Sequence, residues 1–212
     1  MVMKAALKTA VKKVFLLLLL PLYLLLQLFT LFGQSDSLFQ SLSQWLSLIP
    51  GKLGIYCRAA FYHWACPQTS DDICIGFLTV LSHRNTTLKR GVYIGPQSNI
   101  GMCTIEEDTL LGSGVHILSG NKQHLFDDTQ QPIQQQGGTY TKILIGRDCW
   151  LGNGALVMAD IDQQAIIAAG SVVIRPVEAG AVYGGNPARF IQSRFSKQSN
   201  HNQSSRQTVE PT

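Results

Sequence analysis

Aliphatic residues recur through the middle of the chain at steps of six. The phrases Ile94-Gly95, Ile100-Gly101, Ile105-Glu106, Leu111-Gly112, Ile145-Gly146, Leu151-Gly152 and Ile167-Ala168 each pair an aliphatic residue with a small or acidic one. Small side chains follow many of them four residues on, at Ser98, Thr104, Thr109, Val115, Ala155 and Ser171. An amphipathic helix repeats at three or four residues and a coiled coil at seven, so a period of six is neither. An even offset keeps side chains on one face of a strand. Repeats this short predict a parallel β-solenoid, in which each coil buries its aliphatic residue against the next.

The same pattern sets the boundaries. Coils are expected from about Ile73, because Ile75-Gly76 and Leu81-Ser82 carry the step backwards from Ile94. The phase slips by one between Ile100 and Ile105, and it breaks between Ile117 and Ile145. Residues 118–144 are polar, contain Gly120, Gly137 and Gly138, and read as a loop thrown out of the solenoid. Loops of this length usually carry function. Repeats resume at Ile145 and run through Val173, and Gly184-Gly-Asn-Pro-Ala-Arg189 closes the predicted solenoid, taken as residues 73–192. The Ser-, Gln- and Asn-rich residues 193–212 are predicted to be disordered.

Ahead of the repeats, residues 14–32 are apolar all round, interrupted by Pro21 and Gln27, and follow Lys4, Lys8, Lys12 and Lys13. Such a run is just long enough to cross the hydrocarbon core as a helix. It is long for a signal peptide and no small-x-small cleavage site follows, which favours a retained membrane-embedded helix. The positive-inside bias holds the lysines in the cytoplasm, and a full crossing would then export everything after the helix. Pro21 offers a kink by which the helix enters and leaves on one face. Residues 38–65, with Phe39, Trp45, Tyr56, Phe61, Tyr62 and Trp64, are expected to add a second dip, an interfacial helix or a cap on the solenoid end. The expected organisation is an anchor over 1–35 and an amphipathic helical cap over 36–72. The anchor is monotopic, on the cytoplasmic face of the inner membrane.

Composition adds exclusions. A net charge of +4 with 14 % charged residues gives no footprint for nucleic acid. The five cysteines are scattered without a Cys-x-x-Cys pair, so a thiolate metal site is not expected. They fit reduced, packed thiols. No Gly-x-x-x-x-Gly-Lys loop exists to support nucleotide hydrolysis.

The repeats, the looped-out segment with its His, the phrase Ile145-Gly-Arg-Asp-Cys-Trp-Leu-Gly152, the phrase Ile167-Ala-Ala-Gly-Ser-Val-Val173 and the closing Gly185-Asn-Pro-Ala-Arg189 together resemble the hexapeptide-repeat acyltransferases. Their order is similar to the sugar O-acetyltransferase branch, including the acetyltransferases of exopolysaccharide and O-antigen gene clusters. The resemblance implies a left-handed parallel β-helix of triangular section, so the fold class is mainly β with N-terminal membrane-associated helices and one long loop. It also implies a homotrimer with active sites between subunits, acetyl-CoA as donor, and one essential His from the loop. The acceptor is expected to be a saccharide hydroxyl, and an anchor suits a lipid-linked one.

Acyl transfer to a hydroxyl needs a base, and His is suited to it near neutral pH. Of five histidines, His124 lies in the loop and matches the family's catalytic His by order and by its spacing to Trp150. His116 is expected to point outward, either lining the acceptor cleft or simply exposed, and His83 sits at a coil corner. Asp127 and Asp128 follow His124 by three and four residues, where a carboxylate could orient the imidazole, bind acceptor hydroxyls or solvate the loop. Asn99 is a weaker candidate for the acceptor site, from a loose match to an Asn that related enzymes carry on an upstream coil. Trp150 is expected to pack beside the His against pantetheine or sugar. Gly152, Ala169 and Gly170 would let the cofactor approach the backbone or merely turn coil corners. Arg189, matching the family position, and Arg175 are candidates for the CoA phosphates. No metal is expected. Two rival readings remain: a non-catalytic membrane-tethered scaffold, and a zinc carbonic anhydrase of the same fold using His83, His116 and His124.

Overall fold

The structure, a computed structural model, describes residues 2–195 except 32 and 34, so the tail from residue 196 lies outside the described residues. Three helices come first: α1 (Val2–Thr30), α2 (Ser35–Ser47) and α3 (Gly51–Ala65). Five coils follow. The first holds β1 (Cys74–Ile75), β2 (Val80–Leu81) and β3 (Thr87–Leu88), and the second β4 (Tyr93–Ile94), β5 (Asn99–Ile100) and β6 (Cys103–Ile105). The third holds β7 (Leu110–Leu111), β8 (His116–Ile117) and β9 (Ile143–Ile145). The fourth and fifth carry β10 (Trp150–Leu151) with β11 (Leu156–Val157) and β12 (Ile166–Ile167) with β13 (Val172–Val173). Their third sides shrink to single bridges at Ile161 and Val177. A last strand, β14 (Ala181–Gly184), is covered by an antiparallel return, β15 (Arg189–Ser193).

Every other pairing is parallel, and the strands stack into three sheets, β1-β4-β7-β10-β12-β14-β15, β2-β5-β8-β11-β13 and β3-β6-β9. This solenoid is consistent with the left-handed β-helix implied by the resemblance. One aliphatic side chain per side points inward. From Ile75, Leu81 and Leu88 in the first coil to Ile167, Val173 and Val177 in the fifth, all are buried. Of the small residues on the six-step, Ser98, Thr109, Val115, Ala155 and Ser171 are buried between the coils, while Thr104 sits mid-strand and half exposed.

The six-residue step holds at two corners and fails at the third. Between the first and second sheets the inward residues run 75–81, 94–100, 111–117, 151–157 and 167–173. Between the third and first they run 88–94, 105–111, 145–151 and 161–167. At the remaining corner they run 81–88, 100–105, 117–145, 157–161 and 173–177. The long loop is therefore an insertion at the one corner whose length varies anyway. It ends two residues earlier than expected, because Ile143 and Leu144 join β9 and pair with Cys103 and Thr104. The two constant corners are columns of left-handed residues. Leu78, Gln97, Gly114, Gly154 and Gly170 form one, and Gly91, Asp108, Asp148, Gln164 and Gly180 the other. Their amides bond to the coil before, as in Gly114 N–H to Pro96 O (2.9 Å) and Asp148 N–H to Glu107 O (3.0 Å), except in the first coil, where Leu78 N–H donates to Ser47 O of α2 (2.9 Å).

Helices α2 and α3 seal the open first coil. Phe39, Phe61 and Tyr62 are fully buried and their rings contact one another at 5.4–6.1 Å. These aromatics therefore belong to a core, not to a headgroup boundary. Leu81 N–H donates to Ser43 Oγ (2.9 Å), and the buried Arg58 donates from Nε to Ile75 O (2.9 Å). Polar side chains thus satisfy an edge that would otherwise present bare strand groups. Helix α1 lies outside α3, with Phe15 stacked on Tyr56 (5.3 Å) and Tyr23 on Trp64 (5.9 Å). Over Ala6–Thr30 it is long and apolar enough to cross a membrane. It stays one helix through Pro21, so the re-entrant turn expected there does not form.

Candidate active site

Alternation places the candidate side chains. Val115 and Ile117 point into the core, so His116 between them points out from β8. Register then sets Asn99 beside His116 and Val80 beside Asn99 on the outer face of the second sheet. The loop leaves directly after this strand and folds back over it. A cleft of about 120 Å³ results, lined by Ser82, His83, Asn99, His116, Ser119 and Gln123 among others.

The loop is fastened at its base. Thr141 N–H donates to Ser119 O (2.9 Å), and Ser119 Oγ accepts from Met102 N–H (2.8 Å). Lys142 Nζ reaches Asn85 Oδ1 and Thr87 Oγ1, both at 3.0 Å. Further out, Thr139 N–H donates to Lys122 O (2.7 Å) and Leu125 N–H to Gly137 O (3.0 Å), joining the outgoing and returning limbs of the loop into an arm. Gly138 lies so close to Gln123 O that no Cβ would fit there. Tyr140 lies over His83 with ring centroids 5.4 Å apart.

His124 is exposed on this arm, and among the described residues its ring has no partner. The neighbour that enters the cleft is Gln123. Asp127 and Asp128 are exposed. Asp128 Oδ1 accepts from Gln130 N–H (2.8 Å), a turn within the loop. His63 is held by the cap, with Nδ1 2.7 Å from Thr69 O.

Trp150 is outward and exposed, as expected, but on the first sheet, where Tyr93, Leu110, Trp150 and Ile166 form an in-register apolar row. Within one chain it is not beside His116 or His124. Gly152 is buried, and a Cβ there would lie 2.5 Å from Ala169 N. Its lack of a side chain lets the coils stack closely at this point. Ala169 and Gly170 are exposed at the corner above it. Arg189 and Arg175 share a cleft of about 320 Å³ with Tyr183 and Phe190. Two cations beside aromatic faces suit the phosphates and adenine of a CoA molecule.

The five cysteines are free thiols. Burial pushes Cys103 up to about 12 and Cys149 up to about 11, so neither is a ready nucleophile. Among the described residues no three His, Cys, Asp or Glu side chains gather as a ligand set, and His124 stands apart from His83 and His116.

No protein-family profile matches the chain. It is 33 % identical over 121 residues to a probable macrolide acetyltransferase of Lysinibacillus sphaericus, covering 49 % of this chain and 64 % of that one. It is also 33 % identical over 105 residues to a chloramphenicol acetyltransferase of Klebsiella aerogenes, covering 40 % and 48 %. The chain thus spans about half to just under two thirds of the curated relatives it matches. A maltose O-acetyltransferase from Clostridium difficile 630 superposes with a TM-score of 0.67 at 16 % identity, over 77 % of this chain and 88 % of its own. A hexapeptide-repeat acetyltransferase from Vibrio cholerae gives 0.62 at 20 %, over 75 % and 92 %. The chain has the hexapeptide-repeat acetyltransferase fold.

On this hexapeptide-repeat fold, the sequence did not reveal the cleft residues Gln123, Ser82 and Ser119, the Tyr140 ring against His83, or the aromatics Tyr183 and Phe190 beside the arginines. Tyr140 carried a signal, as a lone tyrosine in a polar loop. Gln123 carried none, because no repeat phase operates where the loop leaves the solenoid.

Proposed function

We propose that the chain transfers an acetyl group from acetyl-CoA to a saccharide hydroxyl, in exopolysaccharide or O-antigen assembly, as a homotrimer on a left-handed β-helix. The acceptor is lipid-linked, and the N-terminal hydrophobic segment anchors the enzyme at the cytoplasmic face of the plasma membrane. The observation that carries this reading is the loop-roofed cleft with an outward His116, on a fold whose curated sequence relatives are acetyltransferases. In the reaction an imidazole takes the hydroxyl proton as the oxygen attacks the thioester carbonyl. Backbone amides hold the oxyanion. The thiolate leaves and recovers the proton from the imidazolium. Arg175 and Arg189 hold the donor's phosphates.

His124 is the proposed base, presented by the exposed arm to the cleft of a neighbouring subunit. A second reading rests on a specific observation: His116 already lines the cleft of its own chain. Calorimetric titration of acetyl-CoA, paired with transfer assays on polyprenyl-linked glycans, separates the two. One saturable site per chain is expected. His124→Ala is expected to keep that binding and lose transfer by about 10²-fold or more, the scale of general-base catalysis. That loss in His116→Ala instead would move the base to β8. Absence of binding would remove the transferase reading and favour the scaffold.

A further inference from the structure

Helix α1 has two apolar faces with different fates. Phe15, Leu16, Leu19, Leu22 and Leu26 pack on the cap, with Leu26 fully buried. The opposite face exposes Val14, Leu17, Leu18, Pro21, Leu24, Leu25, Leu28, Phe29 and Leu31, and among described residues from 14 to 31 nothing polar is exposed on it. This stripe runs about 25 Å at the helical rise of 1.5 Å per residue. An apolar face of that length exceeds what a soluble surface normally leaves bare.

Both ends of the helix are tied to one coil. Near the start, Lys12 and Lys8 donate to Asp72 Oδ1 at 2.6 and 3.1 Å. At the end, Arg84 Nη1 donates to Thr30 Oγ1 (3.0 Å). Between them Trp64 Nε1 donates to Leu16 O (3.1 Å). Asp72 and Arg84 bracket β1 and β2 of the first coil. A helix crossing the bilayer with these contacts intact would carry the charged side chains of Asp72 and Arg84 and the coil that bears them into hydrocarbon.

We infer that α1 neither spans nor re-enters but lies in the plane of one leaflet, with its outer stripe in the acyl boundary and its inner face on the protein's own cap. The partner is a lipid bilayer. The apolar stripe fits a depth of about 5–10 Å, typical of interfacial helices. Charge supports this occupant: Lys13 is exposed one turn before Leu17 at the near end of the stripe, where it meets anionic headgroups. The Tyr23–Trp64 pair along the helix flank suits the headgroup level. One consequence concerns the acceptor. His83 of the cleft adjoins Arg84, which holds the end of α1, so the cleft opens on the coils nearest the lipid.

This inference rests on the membrane-anchored reading above, and the test separates their failures. A bimane fluorophore is placed on the full chain at Leu7→Cys, Leu17→Cys or Leu28→Cys, all exposed positions, in vesicles of phosphatidylglycerol and phosphatidylcholine. Quenching by lipids brominated at shallow and deep acyl positions is then compared. An in-plane helix gives one shallow depth at all three sites. A depth that peaks at residue 17 would make α1 a span and overturn the inference while leaving the anchor. Absence of quenching, with the protein self-associated in solution, would assign the stripe to a second copy and overturn both. As a second variant, Leu17→Gln/Leu18→Gln/Leu25→Gln is expected to weaken vesicle flotation at least tenfold with an unchanged unfolding transition.

Discussion

Gly152 and Gly154 sit two residues apart and illustrate how differently the same residue type is used. Gly152 faces the next coil with no room for a side chain, whereas Gly154 has φ +69° and open space around its Cβ direction. The equivalent corner position is Gln97 in the second coil and Leu78 in the first, so a side chain is tolerated there. Gly154→Asn is expected to cost well under about 1 kcal/mol, since Asn accepts the left-handed region. Gly152→Asn is expected to cost about 3 kcal/mol or more through overpacking against backbone. Urea unfolding of both variants checks this, and similar losses would contradict it. Residues of the inward row were legible because burial on a regular period leaves a trace in composition. Gly152 was legible as special, but its tight backbone neighbour was not, since a glycine looks the same whether backbone or ligand approaches it.

At the scale of elements, the cap depends on one side chain. Arg58 is fully buried, bonding Leu46 O (2.9 Å) in the last turn of α2 and Ile49 O (2.8 Å) just beyond it as well as Ile75 O, and burial lowers its pKa. It closes the α2–α3 turn and ties that turn to β1. Arg58→Met removes the guanidinium donor from Ile49 O and Ile75 O and leaves Leu46 O with only the Ile49 N–H (3.3 Å), so at about 1–3 kcal/mol for each orphaned carbonyl a loss of about 2 kcal/mol or more is expected in thermal unfolding. A smaller loss would mean that water replaces the guanidinium. None of this was readable beforehand. A single Arg in an aromatic stretch looks like a surface residue, and aromatics at that density suit a core and a headgroup layer equally well. Likewise the run over α1 read as apolar all round, because a helix docked on protein by one face and bare on the other has no polar side to reveal.

For the whole molecule, the decisive property is where coil length is allowed to vary. One residue inserted after Asn153, at a constant corner, would turn Val157 outward and its neighbour inward, since a one-residue slip exchanges the faces of a strand. The same insertion after Met158 enters the corner that already holds steps of seven, five and four. The first insertion is expected to abolish a cooperative thermal transition and the second to leave it nearly unchanged, by circular dichroism. The sequence announced this corner through its phase slip and its break. It could not announce the partners that the loop brings to the cleft, which follow from the loop's own fold.

The insertion point of that loop also bears on how such enzymes diversify. The arm leaves after Ile117 and returns at Ile143, and β9 resumes its pairing with β6 as though nothing intervened. A roof attached in this way can be lengthened, shortened or replaced by descent without disturbing the stack below it or the arginine cleft at the far end. Recognition of new ligands can then evolve by exchanging one hinged segment, while the stacked coils beneath it are inherited intact.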